Sequence, residues 1–240
     1  VSVQAVAERF RGYMNKIHPS ADETVEDIPD GAVIMFGGFG TTGEPEHLID
    51  ALARQGAKNL TAISNAAGSG ERNLAPLFKN RRIGKFIGSF PHPRKARYFD
   101  EQVLAGEVEY ECVPQGTLIE RIRSGGAGVG AFYTATGVGT PLAEGKESGV
   151  IDGREMVLEF ALRADFAFVK AHRGDRWGNL PYRMTARNFN PVMSTAAEVT
   201  IAEVEEIVEV GALDPERVDT PGIFVQRIVE GGHYERGWVE

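Results

Sequence analysis

The fold class this sequence predicts is α/β: an open, mostly parallel sheet flanked by helices, in a single domain. Three observations predict it. Short apolar runs, AVIMF at 32–36 and LTAIS at 60–64, each stop where Gly, Ser or Asn begins. Between them, residues 45–57 (PEHLIDALARQGA) place apolar side chains at helical spacing, with Gly56 in a C-cap position. Strand, helix and strand in that succession make a parallel pair with a right-handed crossover the default. No repeat, low-complexity tract or linker then divides the rest of the chain.

The remaining elements follow in order. RIGKFIGSF (82–90) reads as a strand, ARYFDEQVLAGE (96–107) as a helix, and VEYECVP (108–114) alternates as a strand does. TLIERIRSGG (117–126) is a helix with a glycine stop. The glycine-dense stretch 125–140 (GGAGVGAFYTATGVGT) marks close backbone approach or unusual dihedrals, since glycine there costs backbone entropy. Residues 141–159 form a hairpin about Asp152-Gly153. DFAFVKAH (165–172) and TIAEVEEIVEV (200–210) are strands, and NPVMSTAA (190–197) is helical with Pro191 near its first turn. At the N-terminus, apolar residues at 3, 6, 10 and 13 fit a short amphipathic helix.

Composition excludes several function classes. A net charge of −8, with no long Lys/Arg run, argues against nucleic acid as a partner. Cys112 is the single cysteine, so neither a disulfide framework nor a thiolate metal site is expected, and a buried structural thiol is the reading of it. The five histidines (18, 47, 92, 172, 233) lack metal-ligand spacing, and His172 reads as a hydrogen-bonded structural residue. No apolar stretch approaches the roughly 20 residues of a membrane span, and no signal-peptide pattern opens the chain, so a cytoplasmic location is expected.

Gly38, Gly40 and Gly43 spell G-x-G-x-x-G between a strand and a helix, the context of a dinucleotide fingerprint. That fingerprint requires an acidic residue at the end of the next strand, yet AISNAAGSG (62–70) has none before Glu71. An NAD-dependent oxidoreductase is therefore disfavoured. GTPLAEGKE (139–147) fails as a P-loop, and no G-x-S-x-G elbow occurs. Glu44 and Glu46, weighed as nucleophiles, fall in the first turn of a helix, where carboxylates are favoured by the dipole alone, and read as structural. The loops look built for a ligand while no catalytic set is complete: either the chain is a binding protein, or another chain supplies the reactive group.

The stretch DGAVIMFGGFGTTGEP (30–45) resembles the first signature of the family I CoA-transferases, through Asp30, Gly31, Ile34–Phe36, Gly37, Gly38, Phe39, Gly43 and Pro45. LTAISNAAG (60–68), 114–140, GDRWGNL (174–180), ARNFNP (186–191) and 203–216 extend the resemblance to nearly the whole chain from Met14. It implies a CoA-transferase-like fold over 14–240, with 1–13 an N-terminal extension. It also implies the A (α) subunit, because the family's nucleophilic glutamate belongs to a Ser-Glu-Asn-Gly motif that does not occur here. A partner B (β) subunit would carry that glutamate, in a heterodimer or α2β2 heterotetramer. CoA would pass from succinyl-CoA to a 3-oxo acid through a glutamyl-CoA thioester, with no permanently bound cofactor and no metal.

On that resemblance Phe36, Gly37, Gly38, Phe39, Gly40, Thr41, Thr42 and Gly43 contact the CoA thioester, while Asn65 and Gln115 serve the oxyanion and substrate. Ala66 stands where the family run Ser-Asn-Asn-Ala-Gly has its second Asn. The acceptor looks most like 3-oxoadipate, with acetoacetate the alternative and Arg94, Lys95 or Arg97 available for a second carboxylate. A CoA-thioester hydrolase or ring-opening subunit on the same scaffold is the further alternative.

Overall fold

The computed structural model describes residues 15–90 and 96–232. The proposed N-terminal helix, Arg94 and Lys95 fall outside them. A short helix α1 (Ala21–Val25) precedes β1 (Val33–Phe36), α2 (Glu46–Gln55), β2 (Leu60–Ser64), α3 (Ala75–Lys79) and β3 (Ile83–Gly88). Then come α4 (Arg97–Leu104), β4 (Glu109–Cys112), α5 (Gln115–Ala127), β5 (Ala131–Thr134), β6 (Ser148–Ile151) and β7 (Arg154–Phe160). The chain returns through β8 (Ala164–Asp175), α6 (Asn190–Ser194), β9 (Ala197–Val208) and β10 (Arg227–Glu230).

Seven strands form one sheet in the order β10-β9-β8-β1-β2-β3-β4, and every neighbouring pair is parallel. Helices cover both faces, which explains the near-continuous apolar runs of its strands. Ile34 and Phe36 of β1 point into one core with Leu48, Leu52 and Phe78, while Met35 points into the other with Leu118, Ile122 and Met193. Phe78, Phe86, Phe99 and Tyr110 interlock at centroid separations of 5.3–6.0 Å.

Several expectations hold. Gly56 caps α2 in the left-handed conformation, its N–H donating to the Leu52 carbonyl at 3.2 Å. The hairpin turns at Asp152-Gly153, both at positive φ, between β6 and β7. Others are corrected. Cys112 is exposed, because β4 is an edge strand and ends there. The glycine stop comes at Gly128 rather than Gly125-Gly126, which stay helical because each lies against a neighbour, the Leu162 carbonyl and Thr195. Part of the glycine-dense stretch is β5, which joins β7 and β6 in a separate three-stranded antiparallel sheet.

The strand order fixes where a ligand can enter. The chain builds outward from β1 to β4, then returns to β1's other side with β8, so the order reverses between β1 and β8. In open α/β sheets the crevice beyond the strand carboxyl ends at such a reversal is the binding position.

Candidate functional site

Residues 37–45 rise from the end of β1 at that reversal. Gly37 N–H donates to the Phe168 carbonyl of β8 at 2.9 Å, and Phe39 and Thr42 exchange backbone hydrogen bonds of 3.0 and 3.1 Å around a two-residue tip. Gly38, Gly40 and Gly43 take φ of 115°, 65° and 72°. The connection after β2 repeats the figure: Gly68, Gly70 and Asn73 take φ of 105°, 63° and 59°, and Ser69 and Arg72 exchange the bonds. The two turns are joined, since Asn73 Nδ2 donates to the Gly40 carbonyl at 2.6 Å.

From the other side the segment before α6 clamps the first turn. Asn188 Oδ1 accepts from Gly38 N–H at 3.1 Å, and its Nδ2 donates to the Thr42 carbonyl at 2.9 Å. Asn190, fully buried, accepts Lys170 N–H at 3.0 Å and donates to the Gly43 and Ala186 carbonyls at 3.0 and 2.9 Å. These amides give the glycines a different reason from ligand approach. A β-carbon on Gly37 would overlap Asn190 Oδ1, and one on Gly38 the Glu44 carboxyl; on Gly43 it would lie 2.6 Å from the Ala186 carbonyl. Only Gly40, with open space around it, is required by its left-handed φ alone.

Of the proposed contacts, Phe36 is placed in the core instead: it is 0% exposed and meets Phe168 edge-on at 5.3 Å. Phe39, by contrast, is 49% exposed beside the turn's tip. Thr41, Thr42 and Gly43 line a cavity of about 210 Å³ in the crevice, opposite Lys170 and His172 of β8.

Asn65 and Gln115 are brought together on the β2 side. Asn65 Oδ1 receives Gln115 Nε2 at 2.6 Å and the Ser89 hydroxyl at 2.8 Å, and the residue is 3% exposed. Two donors on the oxygen fix the amide so that its NH2 group remains to donate elsewhere. Ala66 is buried beside it. The two halves of the site adjoin, because the Ser64 hydroxyl donates to the Phe36 carbonyl at 3.1 Å. Arg97 is engaged with Tyr98 (2.7 Å) and faces Glu71 at 3.8 Å.

Sequence reasoning missed the buried charges behind the cavity. Glu203, fully buried, accepts from Lys170 Nζ at 2.6 Å, His47 Nδ1 at 2.7 Å, and the backbone N–H groups of His47 and Leu48 at 3.0 and 3.3 Å. It thereby caps α2, whose own N-cap Pro45 offers no side-chain acceptor. Burial alone would raise its pKa, but the His47 hydrogen bond and Lys170 outweigh that and hold it below the usual range. Glu44 goes the other way: burial, then repulsion from Glu46, push it well above the ordinary carboxylate range. His172 is the hydrogen-bonded residue expected, with Glu205 Oε2 at 2.9 Å from Nδ1. Among the described residues no cluster of His, Cys, Asp and Glu could hold a metal ion, and no helix is long and apolar enough to cross a membrane.

Comparison with known proteins gives this chain its class. The model of the coenzyme A transferase family matches residues 18–231, and the chain belongs to that family. It is 56% identical over 216 residues to the A-type subunit of 3-oxoadipate CoA-transferase from Pseudomonas putida, covering 90% of this chain and 94% of that one. It is 50% identical over 223 residues to the A-type subunit of a probable succinyl-CoA:3-ketoacid coenzyme A transferase from Bacillus subtilis, covering 93% of each. An acyl-CoA transferase of Escherichia coli O157:H7 superposes with a TM-score of 0.79 at 23% identity, over 90% of this chain and 47% of that one, which shows the fold. The chain thus spans about half the length of that solved transferase.

Proposed function

We propose that this chain is the α subunit of a heteromeric CoA-transferase that moves CoA from succinyl-CoA to a 3-oxo acid, 3-oxoadipate first. The nucleophilic glutamate comes from a partner β subunit, where it forms a glutamyl-CoA thioester. This chain contributes the wall facing it: the 37–43 turn toward the thioester, and Asn65 toward the oxyanion. The observation that carries the reading is the Asn65 amide, whose oxygen is saturated by Gln115 and Ser89 so that its NH2 is left to donate. A preorganised donor of this kind is worth about 3–4 kcal/mol in the transition state. The names of the similar subunits, covered over nine-tenths of their length, support the choice of acceptor class.

The test is co-expression with a partner bearing the Ser-Glu-Asn-Gly motif, followed by thioester exchange assayed with 3-oxoadipate, acetoacetate and no acceptor. Acceptor-dependent loss of succinyl-CoA supports the proposal. Acceptor-independent release of free CoA would make the chain part of a hydrolase, and turnover by this chain alone would overturn the division of labour. Asn65→Ala should cost about 2 kcal/mol of stability through its two lost bonds but lower kcat of the folded enzyme a few hundredfold. An unchanged kcat in the folded variant would reduce Asn65 to a structural residue.

A further inference from the structure

The carboxyl of Glu44 occupies the space that Gly38 leaves vacant, for a β-carbon on Gly38 would fall on its Cδ and both oxygens. Oε1 accepts from Asn73 Nδ2 at 3.3 Å, the same amide that holds the Gly40 carbonyl. Oε2 is sealed from solvent without a hydrogen-bond partner, and so is Asn73 Oδ1. Glu44 as a whole is half-buried, so it is the acid end that is enclosed. A bare carboxylate in such a place is costly, whereas the neutral acid is tolerated.

Of the charged groups nearby, the one that acts on Glu44 is Glu46, which disfavours its ionisation. Glu46, next on α2, is of like sign and is itself raised by burial. Lys170 of β8 is held by Glu203 of β9 at 2.6 Å, and His172 of β8 by Glu205 of β9 at 2.9 Å. Arg72, from the twin turn, acts on Glu46, and Arg183 lines the cavity from the segment before α6.

We propose that Glu44 is a positioning residue that works as a neutral carboxylic acid, propping the 38–42 turn from beneath, and that losing its proton loosens the turn. The effect on turnover rests on the transferase reading above; the effect on stability does not.

Glu44→Gln keeps the shape and cannot ionise, whereas Glu44→Ala removes the prop at every pH. Thermal midpoints and denaturant unfolding of the full chain are measured from about pH 5 to about pH 9. A raised native pKa means the unfolded chain releases the proton first, so native stability falls as pH climbs above the unfolded carboxylate value. The folding constant of Glu44→Gln relative to native should therefore rise by up to about tenfold per pH unit until the native acid itself ionises.

In the assembled enzyme, native kcat/KM should fall on the alkaline side, Glu44→Gln should lack that limb, and Glu44→Ala should be low throughout, on the order of a hundredfold. A stability gap that does not change with pH overturns the neutral acid. A widening gap with an unchanged alkaline limb overturns the link to the turn. If no acid accepts CoA at all, the transferase reading fails while the stability comparison still judges Glu44.

Discussion

Asn190 is the position at which the geometry makes its sharpest demand, because the direction of each of its hydrogen bonds is fixed. The side chain is fully buried; its oxygen takes one backbone N–H and its nitrogen serves two carbonyls, all at 2.9–3.0 Å, with a longer bond from the nitrogen to Asn188 Oδ1 at 3.3 Å. Removing it with Asn190→Ala deletes the three main-chain bonds, worth about 1 kcal/mol each, and leaves main-chain groups of β8 and the 37–43 turn unsatisfied. The combined loss should be about 3–5 kcal/mol, a large part of the stability of a typical domain. Asn190→Asp preserves volume and the acceptor toward Lys170 N–H, but it turns a donor into an acceptor against two carbonyl oxygens.

At neutral pH the aspartate variant should therefore be no more stable than the alanine one, despite its nearly native shape. On acidification it should recover relative to alanine, since a protonated carboxyl regains one donor. Urea unfolding followed by far-ultraviolet circular dichroism at about pH 5 and about pH 8 measures both effects. An aspartate variant within about 0.5 kcal/mol of native at neutral pH would show that the bonds do not run in these directions.

Two further outcomes follow from the same neighbourhood. Gly37→Ala drives a methyl into the buried Asn190 amide and should cost about 2–3 kcal/mol, whereas Gly40→Ala meets only open space and pays the left-handed backbone penalty of about 1 kcal/mol. The reverse order of thermal midpoints would refute the packing account of the loop. For Glu203, a depressed native pKa means its stabilisation is present above the unfolded carboxylate value and is lost as pH falls through the native one. Glu203→Gln should thus be much less stable than native at neutral pH and approach it in acid, as shown by unfolding midpoints; parallel pH curves would exclude the linkage.

Much of this architecture was legible because both sheet faces are buried: β1, β2 and the first half of β8 are short, nearly continuous apolar runs. What was not legible depended on partners distant in sequence. β10 has only Ile228 and Val229 to announce it and becomes a strand through pairing with β9. Gly125 and Gly126 read as a helix stop by propensity, yet tight packing on Leu162 and Thr195 keeps them helical. In the site, Asn65 and Gln115 were identified by resemblance, but the saturation of the Asn65 oxygen required Ser89 from a third strand end. One missed signal was available: G-x-G-x-x-G at 38–43 recurs as G-x-G-x-x-N at 68–73, thirty residues apart.

That repeat accounts for the shape of the site better than a dinucleotide fingerprint does. A Rossmann turn brings glycines near a pyrophosphate at a helix N-terminus, but here the N-terminus of α2 is already occupied by the buried Glu203 carboxylate. An anionic ligand would find those N–H groups already taken by a carboxylate. The free capacity lies in the turn above, clamped by Asn73 and Asn188 and underlain by Glu44, whose carboxyl burial pushes well above the ordinary range. On the function proposed above, a neutral support would leave the turn uncharged, which would suit a thioester attacked by a partner's carboxylate better than an additional anion in this chain. If a partner chain closes over the turn as proposed, it would bury Phe39, half-exposed beside the tip, and exclude water from the exchange.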